Sequence, residues 1–423
     1  MTRHHRPTAC RVAAASLVLL LAGCSSTTTP PSNSPSSSPS AAAVVPSAPT
    51  PTATSTPTAT SPATPIATAA PPQESCVDGT LASMSEAQRI GQLFMIGLVK
   101  DRLDAPERSA VADFHVGSFA FTTQSRAGVT AIRAITDAVQ DLATTKATAG
   151  VRFFVAANQE GGLIQGLAGP GFDVIPSALK QGAMSAATLK KDAARWGRQL
   201  GHAGVNLDLA PVADVVPPGT DQSNAPIGQL QREYGHEPST AASHVTAFIA
   251  GMTQAGIGTS AKHFPGLGRV EGNTDFTGDV VDSVTIRGDP YLEPFAAAVG
   301  AGVPFVMVSL ATYTKIDPDR VAAFSPTVID GMLRGDLGFD GVVISDALGA
   351  TAVQSIPPGT RAIDFLDAGG DMIISNQTAP AIEMIKAVAS QAATDDAFRE
   401  RVNDAATHIL RAKEAAGLLS CGG

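Results

Sequence analysis

Thr240-Ala241-Ala242-Ser243-His244-Val245-Thr246-Ala247-Phe248-Ile249-Ala250-Gly251-Met252-Thr253-Gln254-Ala255 is followed, after Gly256-Ile257, by Gly258-Thr259-Ser260-Ala261-Lys262-His263. The first part has the apolar spacing of an amphipathic helix; the second is a short run that ends abruptly in a cation and an imidazole. The same unit recurs on both sides. Short apolar runs lie at Leu93 to Leu98, Val116 to Phe121, Val151 to Ala157, Val205 to Leu209, Gly258 to Lys262, Pro304 to Leu310, Gly341 to Ser345 and Met372 to Ser375. Between them the pattern predicts helices such as Val129 to Leu142, Ala186 to His202, Thr240 to Ala255, Tyr291 to Gly300 and Pro326 to Leu333. Alternation of strand and helix implies parallel strands joined by right-handed crossovers. Eight repeats favour an α/β fold of (β/α)8 TIM type over its rival, a doubly wound open sheet with two extra strands.

The polar residues of these units gather at one end. Asn158, Gln159 and Glu160 follow the third run, Asp208 ends the fourth, Lys262 and His263 end the fifth, and Asp346 follows the seventh. In a parallel barrel those ends share one face, where enzymes of this architecture place their chemistry. A single such Asp could equally be a helix N-cap. Polar groups at four strand ends ask for a shared site.

Outside this region the chain changes character. Its 423 residues are 44% hydrophobic and 16% charged, with a formal charge of -9. No Lys/Arg cluster offers the footprint of a phosphate-backbone binder, so no nucleic-acid partner is expected. Residues 1–23 read as a basic zone (Arg3, His4, His5, Arg6, Arg11), an apolar zone (Val12 to Leu21), then Leu21-Ala22-Gly23-Cys24. This resembles a bacterial lipoprotein signal, in which Cys24 becomes the acylated first residue. An ordinary secretory signal with an incidental Cys is the alternative. A lipid anchor at Cys24 implies an exported protein held at the extracytoplasmic face of the cell membrane. Removing the signal leaves 26 basic against 38 acidic residues, so the mature chain is strongly acidic.

Residues 24–75 are dominated by Ser, Thr, Pro and Ala, too poor in apolar bulk to offset backbone ordering, and are expected to form a disordered stalk with extended Pro-rich character. Residues 76–423 are expected to form a single barrel domain that carries the site. With Cys10 in the signal and Cys24 acylated, Cys76 and Cys421 are the thiols left for an oxidising compartment, and a disulfide between them is favoured over two free thiols. No pair of His or Cys has ligand spacing, so no metal is expected, and Gly266-Leu267-Gly268 lacks the helix and acidic partner of a dinucleotide site, so no cofactor is expected either.

The most specific segment is Lys262-His263-Phe264-Pro265-Gly266-Leu267-Gly268, followed by Asn273-Thr274-Asp275. With Gln159-Glu160-Gly161-Gly162, Gly228-Gln229-Leu230-Gln231-Arg232-Glu233-Tyr234-Gly235, Leu337-Gly338-Phe339-Asp340-Gly341 and Ile344-Ser345-Asp346-Ala347-Leu348, it resembles glycoside hydrolase family 3. The nearest branch is the single-domain bacterial β-N-acetylglucosaminidases, and the signal and stalk are similar to the LpqI-type actinobacterial lipoproteins. The resemblance spans about residues 80–415. It implies a retaining exo-glycosidase that removes terminal β-linked N-acetylglucosamine from peptidoglycan-derived fragments, with cell-wall amino-sugar oligosaccharides as partners. Two further readings stay open: a sugar-binding lipoprotein with weakened turnover, and a β-glucosidase or phosphorolytic enzyme of the same family.

Asp346 takes the family's nucleophile position, forming a covalent glycosyl-enzyme. A partner acid must then protonate the leaving oxygen, with the two carboxyl groups about 5 to 5.5 Å apart in the closed complex. That branch carries Asp-Ser-His on the loop after Lys-His-Phe-Pro-Gly, the His serving as acid/base. This chain instead places Asn273 and Asp275 at the Asp and His positions. Asp275 is the expected acid/base, provided its surroundings raise its pKa, and Glu271 on the same loop is the competitor. Arg232, Lys262 and His263 match sugar-binding positions, and Asn158, Glu160 and Asp208 complete the expected substrate contacts. Asn158, Leu310 and Ala347 depart from the branch, where acidic residues or a His are usual.

Overall fold

All eight apolar runs become strands of one sheet. In the computed structural model, which describes residues 75–419, they are β1 (Phe94–Leu98), β2 (Ser118–Phe121), β3 (Phe154–Ala157), β4 (Leu207–Asp208), β5 (Gly258–Phe264), β6 (Phe305–Val308), β7 (Val342–Ser345) and β8 (Ile373–Ser375). Every neighbouring pair is parallel, in the order β7-β6-β5-β4-β3-β2-β1-β8. A bridge between Ile344 and Met372 joins the two outer strands. The Val343 carbonyl accepts from Asp371 N–H at 2.9 Å, and the Met372 carbonyl accepts from Ser345 N–H at 2.9 Å. The sheet thereby closes into the (β/α)8 barrel.

These runs lack polar alternation because both faces of each strand are covered, one by the barrel interior and one by helices. Phe154 on β3 and Phe305 on β6 meet edge-to-face with centroids 5.2 Å apart, a contact across the barrel that packs its interior. At the opposite end from the strand C-termini, Lys413 is buried, its Nζ donating to Gln92 Oε1 at 2.7 Å and to the Gly117 carbonyl at 2.8 Å. The seam between β7 and β8 is locked by buried Asp371. Its carboxylate accepts from Val343 N–H at 2.8 Å and pairs with Arg334 at 2.6 Å, Arg401 at 2.8 Å and His408 at 2.9 Å.

The expected helices form, with adjusted ends. Ala186–His202 starts at Ser185, whose hydroxyl accepts from Thr188 N–H, and buries Leu189, Ala193, Trp196 and Leu200 on one face. Pro238–Gln254 packs on it at Gly251, where an added Cβ would stand 2.4 Å from the Lys190 carbonyl oxygen. The Tyr291 region opens as a tight turn over Pro290–Leu292 before Glu293–Gly300, and the next predicted helix is a wide π-turn helix over Thr327–Asp336. β4 is shorter than its apolar run, and beyond it the chain stays bonded to β5 through the Ala210 and Pro211 carbonyls, which accept from Ser260 and Lys262 N–H at 2.9 and 3.1 Å.

Loops at the strand C-termini carry small sheets of their own. Gln159–Gly161 and Ile164–Gln165 pair antiparallel after β3. Val281–Asp282, from the long loop after β5, pairs with Thr312–Tyr313 after β6, which in turn pairs with Asp317–Val321. Cys76 begins helix Cys76–Ser83 and is disulfide-bonded. Its expected partner Cys421 lies outside the described residues, as do Cys24, the signal over 1–23 and the tract 24–74. No described helix is long and apolar enough to cross a membrane.

Candidate active site

A strand normally sends adjacent side chains to opposite faces, yet Lys262 and His263 both line the cavity above the barrel. The peptide bond between them is cis, and the β5–β6 register shifts at the same point: Lys262 pairs with Met307 and Phe264 with Val308, so His263 has no opposite number. Such a bulge re-aims a side chain without ending the strand. His263 is then fixed by Asp214, whose carboxylate takes its Nδ1 at 2.7 Å, its backbone N–H at 3.0 Å and the N–H of Leu267 at 2.8 Å.

Glu160 organises the cations. Arg232 binds it through Nε and Nη2, both at 2.8 Å, and Lys262 Nζ lies 2.6 Å from its Oε1. The fork-on-fork geometry fixes the guanidinium plane. Burial opposes ionisation of Glu160, but the charges of Arg232 and Lys262 outweigh it and hold the carboxyl at about 2. Burial likewise works against the charged Arg232, and Glu160 more than compensates, holding the guanidinium above its usual range. Lys262 also donates to Asn158 Oδ1 at 2.7 Å. Asp208 lies beneath, fully buried, accepting from Gln159 N–H at 2.9 Å; burial pushes it up to about 7.

Asp346 follows β7, with one carboxylate oxygen fixed by Ala347 N–H at 2.7 Å. Asp275 stands on the rim of the loop after β5. Its backbone is pinned by Thr351, whose hydroxyl donates to the Asp275 carbonyl at 2.8 Å, and by Asn273, whose Oδ1 accepts its N–H at 3.0 Å. Both carboxyl groups line the same cavity of about 290 Å³, together with Asn158, Arg232, Lys262, His263, Asn376 and the exposed ring of Phe276. Partial burial first, and the charge of Asp346 second, raise Asp275 above the ordinary carboxylate range, tempered by Arg232, His263 and Lys262. Two carboxyl groups on one cavity, one of them holding its proton more tightly than usual, are the pairing that an acid and a nucleophile in one pocket require.

Of the residues singled out in the sequence, Asn158, Arg232, Lys262, His263, Asp275 and Asp346 line this cavity. Glu160 and Asp208 sit behind its wall and act on the others, and Glu271 does not line it. Asp214 escaped the sequence reading. Its only signal was a lone Asp in the apolar run Ala210-Pro211-Val212-Ala213-Asp214-Val215-Val216. Among the described residues, one His/Asp/Glu group has metal-ligand proximity, Asp221, Glu233 and His236, and none of the three lines the cavity.

A closed parallel barrel whose C-terminal rim gathers two carboxyl groups and two cations around a sugar-sized cavity has the make-up of a carbohydrate-processing barrel enzyme. Residues 86–412 match the model of the glycosyl hydrolase family 3 N-terminal domain. The chain belongs to glycoside hydrolase family 3 and is a glycoside hydrolase. A beta-hexosaminidase of Xylella fastidiosa (strain M12) is 30% identical over 293 residues, 67% of this chain and 82% of that protein. The crystal structure of a beta-N-acetylhexosaminidase from Beutenbergia cavernae DSM 12333 is 46% identical, with a TM-score of 0.77, over 78% of this chain and 99% of that one. LpqI of M. tuberculosis, at 23% identity and a TM-score of 0.68 over 79% of this chain and 95% of its own, shares the fold.

Proposed function

We propose that this protein is a retaining exo-glycosidase that releases terminal β-linked N-acetylglucosamine from peptidoglycan-derived fragments. The observation that carries the reading is the placement of Asp346 and Asp275 on one cavity, with Asp275 raised partly by the charge of Asp346. In the first step Asp346 attacks the anomeric carbon as the glycosidic C–O bond breaks, and the Asp275 proton passes to the leaving oxygen. In the second, Asp275 as carboxylate takes a proton from water, whose oxygen attacks the same carbon and releases Asp346. The small cavity, near the lower end of ligand-pocket sizes, suits one terminal sugar rather than the middle of a chain. Arg232, Lys262, Asn158 and His263 offer donors and acceptors for its hydroxyl and acetamido groups. The names of the hexosaminidase relatives support the choice of an N-acetyl sugar. The N-terminal Leu21-Ala22-Gly23-Cys24 supports acylation at Cys24 and a place at the extracytoplasmic face of the membrane, where wall fragments are met.

The test is turnover of chromogenic β-N-acetylglucosaminide and β-glucoside by the purified protein, Asp346→Ala and Asp275→Ala. The reading expects preference for the N-acetyl sugar and loss of turnover in Asp346→Ala. Asp275→Ala should lose about 10² to 10⁴ in kcat, least for good leaving groups, and recover with azide. Preference for the glucoside would move the substrate. Binding of N-acetylglucosamine without turnover would favour a sugar-binding lipoprotein, a reading prompted by the replacement of the branch's Asp-x-His by Asn273 and Asp275.

A further inference from the structure

Glu233 follows Arg232 directly and has no counterpart in the catalytic argument. It is fully buried, at 0% exposure, and neither of its carboxylate oxygens meets a hydrogen-bond donor among the described residues. Asp221 and His236, from the two sides of the same loop region, face it: one ligand atom from each of the three lies within 4.8 Å of the others. Asp221 Oδ1 also lacks a hydrogen-bond partner among the described residues. His236 Nδ1 stands 3.8 Å from that oxygen and 3.1 Å from the Val216 carbonyl oxygen. The side chains of Asp221 and His236 remain 30% and 32% exposed, which leaves a route from solvent to the buried carboxylate.

A buried carboxylate with no donor, beside a second carboxylate, carries a desolvation cost that a bound proton or a cation relieves; burial first, and the charge of Asp221 after it, push Glu233 up to about 7. Structural ion pairs elsewhere in this chain solve that problem with arginine or lysine, as at Glu160 and Asp371. Here the facing group is an imidazole, whose Nδ1–H goes to the Val216 carbonyl and leaves the lone pair of the neutral ring on Nε2. Two carboxylates and one imidazole form a mixed oxygen and nitrogen donor set, which suits zinc or manganese better than the all-oxygen shells of calcium or magnesium. We propose that Asp221, Glu233 and His236 form a binding site for a divalent cation of the zinc or manganese type. The cation ties loop 217–236 together immediately behind Arg232. In a tetrahedral zinc site neighbouring ligand atoms stand about 3.4 Å apart. Closing to that spacing asks for small rotations of Asp221 and His236, the two members with free space around them. The site is independent of the reaction proposed above, and its test reads binding rather than turnover.

The experiment is calorimetric titration of the full chain, free of any polyhistidine tag and stripped with EDTA, with ZnCl2 and separately with MnCl2. Glu233→Gln and Asp221→Asn are titrated alongside, and thermal unfolding is recorded with and without metal. Wild type should bind about one equivalent of at least one metal and unfold at a higher temperature when loaded. Each variant should bind at least tenfold more weakly and lose the metal-induced shift. Metal-free Glu233→Gln should unfold at or above the metal-free wild-type temperature, since a buried carboxyl group beside a second carboxylate is gone; this separates lost binding from misfolding. Absence of saturable binding to wild type overturns the site, and a proton shared by Asp221 and Glu233 would give that result. Unchanged affinity in both variants overturns it as well, placing the metal elsewhere.

Discussion

A carboxyl group that is to donate a proton near neutral pH must hold it beyond the usual carboxylate range, and Asp275 does so through partial burial and the nearby Asp346. Because part of the shift is electrostatic, Asp346→Asn should lower the Asp275 pKa. The check is a carboxyl-carbon NMR titration of aspartate-labelled wild type and variant; an unchanged Asp275 midpoint would mean that the two groups do not sense each other. A raised Asp275 was the condition that the sequence reading set for it as acid/base, and the charge of Asp346 supplies part of it. Asp214 was not anticipated. Its bond to His263 links residues 49 positions apart, and nothing in the local pattern distinguishes it from a loop carboxylate. Glu160 illustrates a third case: its position at a strand end was legible, but its part as anchor of Arg232 and Lys262 depends on a 72-residue separation closing in space.

Among the elements, the close crossing of helices Ala186–His202 and Pro238–Gln254 is set by Gly251. A methyl group there would meet the Lys190 carbonyl at 2.4 Å and the Ala193 Cβ at 2.7 Å. Gly251→Ala should therefore cost about 1 to 3 kcal/mol through overpacking, despite the better helix propensity of alanine. Urea unfolding measures this, and a variant as stable as wild type would show that the two helices can part without loss. The barrel strands were legible because burial on both faces leaves uninterrupted apolar runs, such as Phe94–Leu98. Pairings of two residues, like Val281–Asp282 with Thr312–Tyr313, leave no periodicity to read, and they arise from where the long loops happen to meet. The bulge at His263 was equally hidden, since it is a relation between two strands rather than a property of one.

For the molecule as a whole, the last described helix, Asp396–Ala415, serves two buried polar groups: Asp371 at the β7–β8 seam, which it pairs, and Lys413 on the barrel floor, which it carries. Burial lowers Lys413 to about 7, against 10.5 when exposed. Between those values the folded chain holds the amine neutral while the unfolded chain keeps its proton, so stability rises with pH across that window and levels off above it. Below about pH 7 both states are charged and the burial cost is fully felt. The slope from this one group approaches about 1.4 kcal/mol per pH unit. Lys413→Met should flatten that part of the stability profile, measured by denaturant unfolding from pH 7 to 10; an identical slope in both proteins would mean that the amine stays charged in the barrel floor. The eightfold count, and with it the barrel, was readable from the alternation of runs and helices. The charges that seal it were not, because Asp371, Arg401 and Lys413 look in sequence like ordinary helix and loop polar residues.

The seam has a further consequence for how the chain comes into being. Arg401 and His408 reach Asp371 from that terminal helix, and Lys413 lies a turn or two beyond them. A polypeptide made from its amino end has synthesised all eight strands, with the backbone groups that join β8 to β1 and β7, before these three side chains exist. Until they emerge, buried Asp371 at the margin between β7 and β8 has Arg334 alone of its three basic partners, and this is the stage at which self-association competes most strongly with completion and a chaperone has most to protect.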